Sequence, residues 1–225
     1  MYIRGNNISK NYIRKNADSN VLSAVKPCSI ELRDGEMIVI KGRSGSGKST
    51  LLSMLSGILI PSEGSVFYDD KDIYSMNDKE LSDFRSEHIG MIPQGKSAIS
   101  SLTVYENVVL PFTLFGLDIG SEVTELMDKL GITDLRDVRP EELSGGELRR
   151  MAIARSLVRS PEVIFADEPT GDLDEENTGR VLSLLRDQAK KNGALVLLAT
   201  HDQSAAGYAD RHLHMDAGIL TEESH

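Results

Sequence analysis

One cysteine, Cys28, stands among 225 residues, so no disulfide can close within the chain. Oxidising compartments favour paired cysteines, and a lone one points to a reducing environment. Cys28 reads as a small buried hydrophobe rather than a reactive thiol. Basic charge is also scarce: 25 lysines and arginines face 35 aspartates and glutamates, a net charge of −10. That balance argues against broad electrostatic binding to nucleic acid or to anionic lipid. No apolar run approaches the ~20 residues needed to span a bilayer. The start, Met1-Tyr2-Ile3-Arg4-Gly5-Asn6-Asn7-Ile8, is too polar for a secretion signal. The expectation is a soluble, cytoplasmic protein that works at a membrane only if another protein takes it there. Repeats, low-complexity tracts and heptad runs are absent too. His88, His212, His214 and His225 lack acidic or cysteine partners at ligand spacing and read as surface or strand residues.

What the chain does have is the stretch Gly42-Arg43-Ser44-Gly45-Ser46-Gly47-Lys48-Ser49-Thr50. A glycine, four residues and then Gly-Lys-Ser is the phosphate-binding loop pattern. Glycines let backbone N–H groups close around an anion, because they take conformations that a Cβ forbids. Lys48 would place a point charge on the β/γ-phosphates, and the Ser49 hydroxyl can ligate Mg²⁺. The flanks agree: residues 36–41 form a short apolar run suited to a buried parallel strand, and 48–58 has helical spacing. The helix N-terminus would then face the phosphate.

Elsewhere the pattern predicts strands at 2–9, 21–33, 65–68, 88–94, 163–168 and 194–200. Helices are predicted at 78–87, capped by Asn77 or Asp78, and at 103–115, 120–130, 146–158 and 174–191. Residues 95–158 are mostly helical and read as an insertion. Strand–helix alternation on either side implies a three-layer α/β fold with ligands at the carboxyl ends of the strands. Tyr12, ahead of a polar loop running to Asn20, is either a half-buried packing residue or a plate for a purine ring.

Two further elements carry chemistry. The strand 163–168 ends in Asp167-Glu168, beside the phosphate loop. The aspartate can hold Mg²⁺, and the next side chain of a strand points the other way, toward a water near the γ-phosphate. The second element, Leu143-Ser144-Gly145-Gly146-Glu147, opens a helix and makes a second anion-receptive nest. Two such nests on one chain make sense if each nucleotide is shared between two copies. Arg149-Arg150 reads as a solvated helix face, with dimer contact as the alternative.

With these motifs in order, the sequence resembles the nucleotide-binding subunit of an ATP-binding cassette (ABC) transporter. The resemblance covers the whole chain: loop 42–50, a glutamine loop at Gln94, the signature 143–147, the strand 163–168, Gly171-Asp172-Leu173-Asp174 and a switch histidine, His201. It implies a P-loop NTPase (RecA-like) core with a parallel sheet, an N-terminal antiparallel β subdomain and an inserted α-helical subdomain. The helical subdomain would span about 95–158, within a core of 1–94 and 159–225. It also implies ATP and Mg²⁺ as cofactors, a homodimer formed on ATP, transmembrane permease partners at the inner face of the cell membrane, and no nucleic acid.

By the same resemblance Tyr12 stacks adenine, and residues 42–50 (Gly42, Arg43, Ser44, Gly45, Ser46, Gly47, Lys48, Ser49, Thr50) hold the phosphates. Ser49, Gln94 and Asp167 organise the metal, while Ser144 and Gly146 reach the nucleotide of the other copy. Glu168, His201, Lys48 and Gln94 carry catalysis. The segments 103–112 and 169–174 are most similar to the branch of macrolide exporters, lipoprotein-release systems and bacitracin-type resistance transporters. Two departures stand out: Glu147, where glutamine is commonest, and Pro93, where a bulky apolar residue is usual.

Overall fold

A computed structural model describes residues 1–13, 21–95 and 97–223. The loop expected through Asn20 and the position of His225 lie outside the described residues. The core is a six-stranded sheet. Its members are β3 (Met37–Lys41), β6 (Ile89–Ile92), β7 (Val163–Asp167), β8 (Leu195–Thr200), β9 (Arg211–Asp216) and β10 (Ile219–Glu222), in the order β10-β9-β3-β8-β7-β6. All pairings are parallel except β9 with β10.

Alternation along the strands builds two cores from one sheet. Met37 and Val39 face one side, and Ile38 and Ile40 the other. The first side packs against α3 (Val104–Phe115), α4 (Glu122–Lys129), α5 (Gly145–Leu157) and α6 (Glu175–Asn192). The second packs against α1 (Lys48–Leu55) and a four-stranded antiparallel sheet. That sheet, in the order β2-β1-β4-β5, holds β1 (Tyr2–Ile13), β2 (Val21–Arg33), β4 (Glu63–Tyr68) and β5 (Lys71–Asp72). Every residue of β7 and of β8 is buried, which explains their unbroken apolar runs.

Helix α2 (Asp78–His88) starts at an Asn77 cap closed by Glu80. It runs through His88, so β6 is shorter than the 88–94 strand expected and stops before Pro93, which has no N–H for the sheet. Strand β1 is longer than expected and carries Tyr12. Between β6 and β7 the chain forms only helices and turns among the described residues.

Candidate functional site

The phosphate loop joins β3 to α1, and its shape depends on close approaches. Gly47 has φ +110, and a Cβ there would lie 2.2 Å from the Ala24 carbonyl. Gly42 is equally tight, with the Met215 carbonyl 2.2 Å from a Cβ position. The loop is held from behind by the turn between β9 and β10. Gly218 donates its amide to Ser46 O at 2.9 Å and accepts from Lys26 N at 2.8 Å. Lys48, only 6% exposed, donates Nζ–H to Gly42 O at 2.8 Å and to Arg43 O at 3.1 Å. No side chain caps α1, so its first amides are left for a ligand.

In front of the loop lies a cleft of about 540 Å³. Ser44, Gly45, Gly47, Lys48, Ser49 and Thr50 line it, as do Tyr12, Gln94, Asp167 and Glu168. Gly42, Arg43 and Ser46 do not; they shape the loop through their backbones. Tyr12 is 40% exposed at the cleft edge next to Leu22, with Lys10 Nζ 5.7 Å from its ring centre.

Asp167 is buried, and burial raises its pKa, while Ser49, Lys48 and Arg149 pull the other way. Its Oδ1 is buried with no hydrogen-bond partner among the described residues. An orphaned carboxylate oxygen beside a serine hydroxyl and a lysine suits a hard cation. The residues present therefore fit Mg²⁺.

Glu168 has left the strand. Its φ of 49° is left-handed, so this backbone turn, and not the pleat anticipated from the sequence, aims its side chain. Glu168 Oε2 accepts from Thr200 Oγ1 at 3.0 Å and from His201 N at 3.4 Å, and His201 Nδ1 lies 3.0 Å away. Sequence-distant Glu168 and His201 thus meet.

Ser144 and Gly146 sit elsewhere, in a second cleft of about 600 Å³ shared with Arg150 and residues 172–174. Ser144 caps α5: its Oγ accepts from Glu147 N at 3.3 Å, and Glu147 Oε2 takes hydrogen bonds from Ser144 N at 2.8 Å and Oγ at 2.7 Å. Those bonds hold the Glu147 carboxyl below its ordinary pKa. The spacing Ser-x-x-Glu is itself a capping-box signal.

Arg149 corrects the expectation of a solvated face. It is 7% exposed, with its guanidinium donating to backbone carbonyls. Arg149 shares a helix face with Ala152 and Ile153, both buried, a periodicity that marks it as inward-facing.

Residues 25–171 match the family model described as ABC transporter. The chain is 36% identical over 211 residues to the ABC transporter ATP-binding protein YtrE of Bacillus subtilis, covering 92% of this chain and 91% of that one. It is 39% identical over 196 residues to the lipoprotein-releasing system ATP-binding protein LolD of Leptospira interrogans, covering 86% and 83%. Among solved structures it resembles a dimeric post-hydrolysis state of the ATP-binding cassette MJ0796 bound to ADP and Pi. The TM-score is 0.91 and the identity 31%, over 99% of this chain and 98% of that one.

Proposed function

Since the chain belongs to the ABC transporter family and is its ATP-hydrolysing cassette, we propose that it powers a permease that exports or extracts a peptide, lipoprotein or drug. The gathering of Lys48, Ser49, Gln94, Asp167 and Glu168 around one cleft, with Ser144 and Gly146 in a separate one, supports the ATPase part of this reading, and the likeness to the lipoprotein-releasing ATPase LolD supports the transport part. Two copies pack head to tail, so that each first cleft is completed by the second cleft of the partner.

Tyr12 stacks the adenine, and the loop amides with Lys48 neutralise phosphate charge. Ser49 and Asp167, with Gln94 beside them, would hold Mg²⁺, which supplies positive charge to the phosphates. Glu168, fixed by Thr200 and His201, takes the proton of the attacking water, and His201 acts on the γ-phosphate side of the transition state. Phosphoryl transfer needs mainly positioning and charge, so a site built from two copies makes hydrolysis conditional on closure.

The helices of about 95–158 form the subdomain that meets the membrane partner. An apolar groove of about 370 Å³ between β6 and α3 supports this, with Leu114 69% and Phe115 47% exposed. Among the described residues no helix is long and apolar enough to cross a membrane; on this proposal the permease holds the cassette at the inner membrane face.

The test is affinity capture from native membranes, with identification of partners and ATPase assay of the complex. Recovery of a multi-spanning permease with a large extracytoplasmic domain is expected. A division-associated membrane protein, or no membrane partner, would overturn the transport assignment and leave the ATPase chemistry standing.

A further inference from the structure

Arg149 binds backbone where an arginine in such a place would be expected to bind carboxylates. Nε donates to Pro169 O at 3.2 Å, Nη1 to Pro93 O, and Nη2 to Asp167 O at 2.6 Å and Glu168 O at 2.5 Å. One side chain of α5 therefore grips the residue before Gln94 and the turn that carries Glu168. That turn is strained: a glutamate at φ 49° persists only where its surroundings hold it. Arg149 Nη2 bonds the carbonyl of that residue and of the one before it, which fixes the peptide planes on either side of the Glu168 Cα. The same helix starts at Ser144, on the second cleft.

We infer that Arg149 is a positioning residue, which keeps Glu168 in its left-handed turn and ties that turn to Gln94 and to the signature helix. A shift of α5 as Ser144 meets the partner's nucleotide is then felt by Glu168 in the copy's own cleft. This rests on the reading of Glu168 as the residue that activates water. A planar fork with several donors is what the carbonyl set requires; a lysine has the charge without the fork.

The experiment uses the full chain with Arg149→Ala, Arg149→Gln and Arg149→Lys, measuring kcat and KM for Mg-ATP, equilibrium ATP binding and thermal unfolding. The Ala and Lys variants are expected to lose at least ten-fold in kcat while KM and ATP affinity stay within about two-fold, since Arg149 lies outside the phosphate-loop cleft and borders only the adjoining pocket of Glu168 and His201. Placed on Glu168→Gln, Arg149→Ala should add little, because residues acting through one another are not additive. Should the Ala variant fail to fold, the Gln and Lys variants carry the same comparison. Wild-type kcat in any folded variant, parallel loss of ATP binding, or additive losses with Glu168→Gln would overturn the inference. If Glu168→Gln alone hydrolyses ATP normally, the reading of Glu168 fails first, and the inference with it.

Discussion

Helices α1 and α5 both begin at glycines beside a cleft, yet they begin in opposite ways. Helix α1 has Gly47 at its cap, no capping side chain and no acidic residue in its first turn. Helix α5 has Ser144 at its cap and Glu147 closing a capping box. A helix start has unpaired N–H groups and a partial positive charge. The first leaves both for a phosphate; the second has already met part of them, with Ser144 Oγ accepting from Glu147 N and the Glu147 carboxylate accepting from Ser144 N. The first is also backed by buried Ser46 and Lys48, whereas Ser144 and Gly145 are exposed. On the proposed function this difference sets an order: the phosphate loop takes nucleotide alone, and the signature edge joins it only when a second copy closes.

The largest expected effect isolates chemistry from both helix starts. Glu168→Gln should keep ATP binding and lose about 10²–10⁴-fold in turnover, the usual scale of general-base catalysis. Light scattering should show dimers accumulating in ATP, and normal turnover would remove Glu168 from its role. Next comes a matched glycine pair. Gly47→Ala forces a 2.2 Å approach at φ +110, whereas at Gly145 the nearest atom to a Cβ lies 3.5 Å away. ATP affinity of the isolated chain by calorimetry should fall about ten-fold or more for the first, roughly 1.4 kcal/mol or more, and stay unchanged for the second. Equal effects would break the asymmetry.

Ser144→Ala should cost about 1 kcal/mol of stability through the lost cap. Its ATP affinity as a monomer should match the unmutated chain, while ATP-driven dimerisation weakens. The smallest effect is the most diagnostic. Glu147→Gln removes a carboxylate from the edge that would meet phosphate, so dimers in the Glu168→Gln background should form at roughly two- to five-fold lower ATP, the scale of one charge at a helix start.

The same substitution has a pH signature. The folded pKa of Glu147 is depressed, so its contribution to stability is present above the ordinary carboxylate value of about 4.3 and is lost as pH falls through the depressed value. The glutamine variant should lack that acid-side component in melting curves. An unchanged acid limb would show the capping box to be energetically silent.

The sequence made the central sheet and the phosphate loop legible because both obey local rules. Unbroken apolar runs became β7 and β8, and glycines marked positions where the backbone truly crowds. Two things were not legible for a common reason: they depend on partners distant in sequence. A charged residue after the signature looks solvated unless its spacing from Ala152 and Ile153 is weighed, and which carbonyls it meets, those of Pro93 and Asp167, is set only by the fold. Glu168 looks like the next pleat of a strand until its left-handed turn is seen, a conformation no side chain predicts. The hairpin β9–β10 also went unread, although Leu213 and Met215 alternate with exposed His214 and Asp216 along β9.

That hairpin bears on how the protein is made. The turn at Gly218 holds Ser46, and β9 lies beside β3, so the loop read early from the messenger waits for a segment far downstream of it. A nascent chain that has delivered Lys48, Asp167, Glu168 and His201 owns its chemical groups but not the brace behind the loop. Such long-range closure comes late in folding. A chain terminated after Tyr208, which keeps His201 but lacks β9 and the turn behind the loop, should hold ATP poorly by calorimetry.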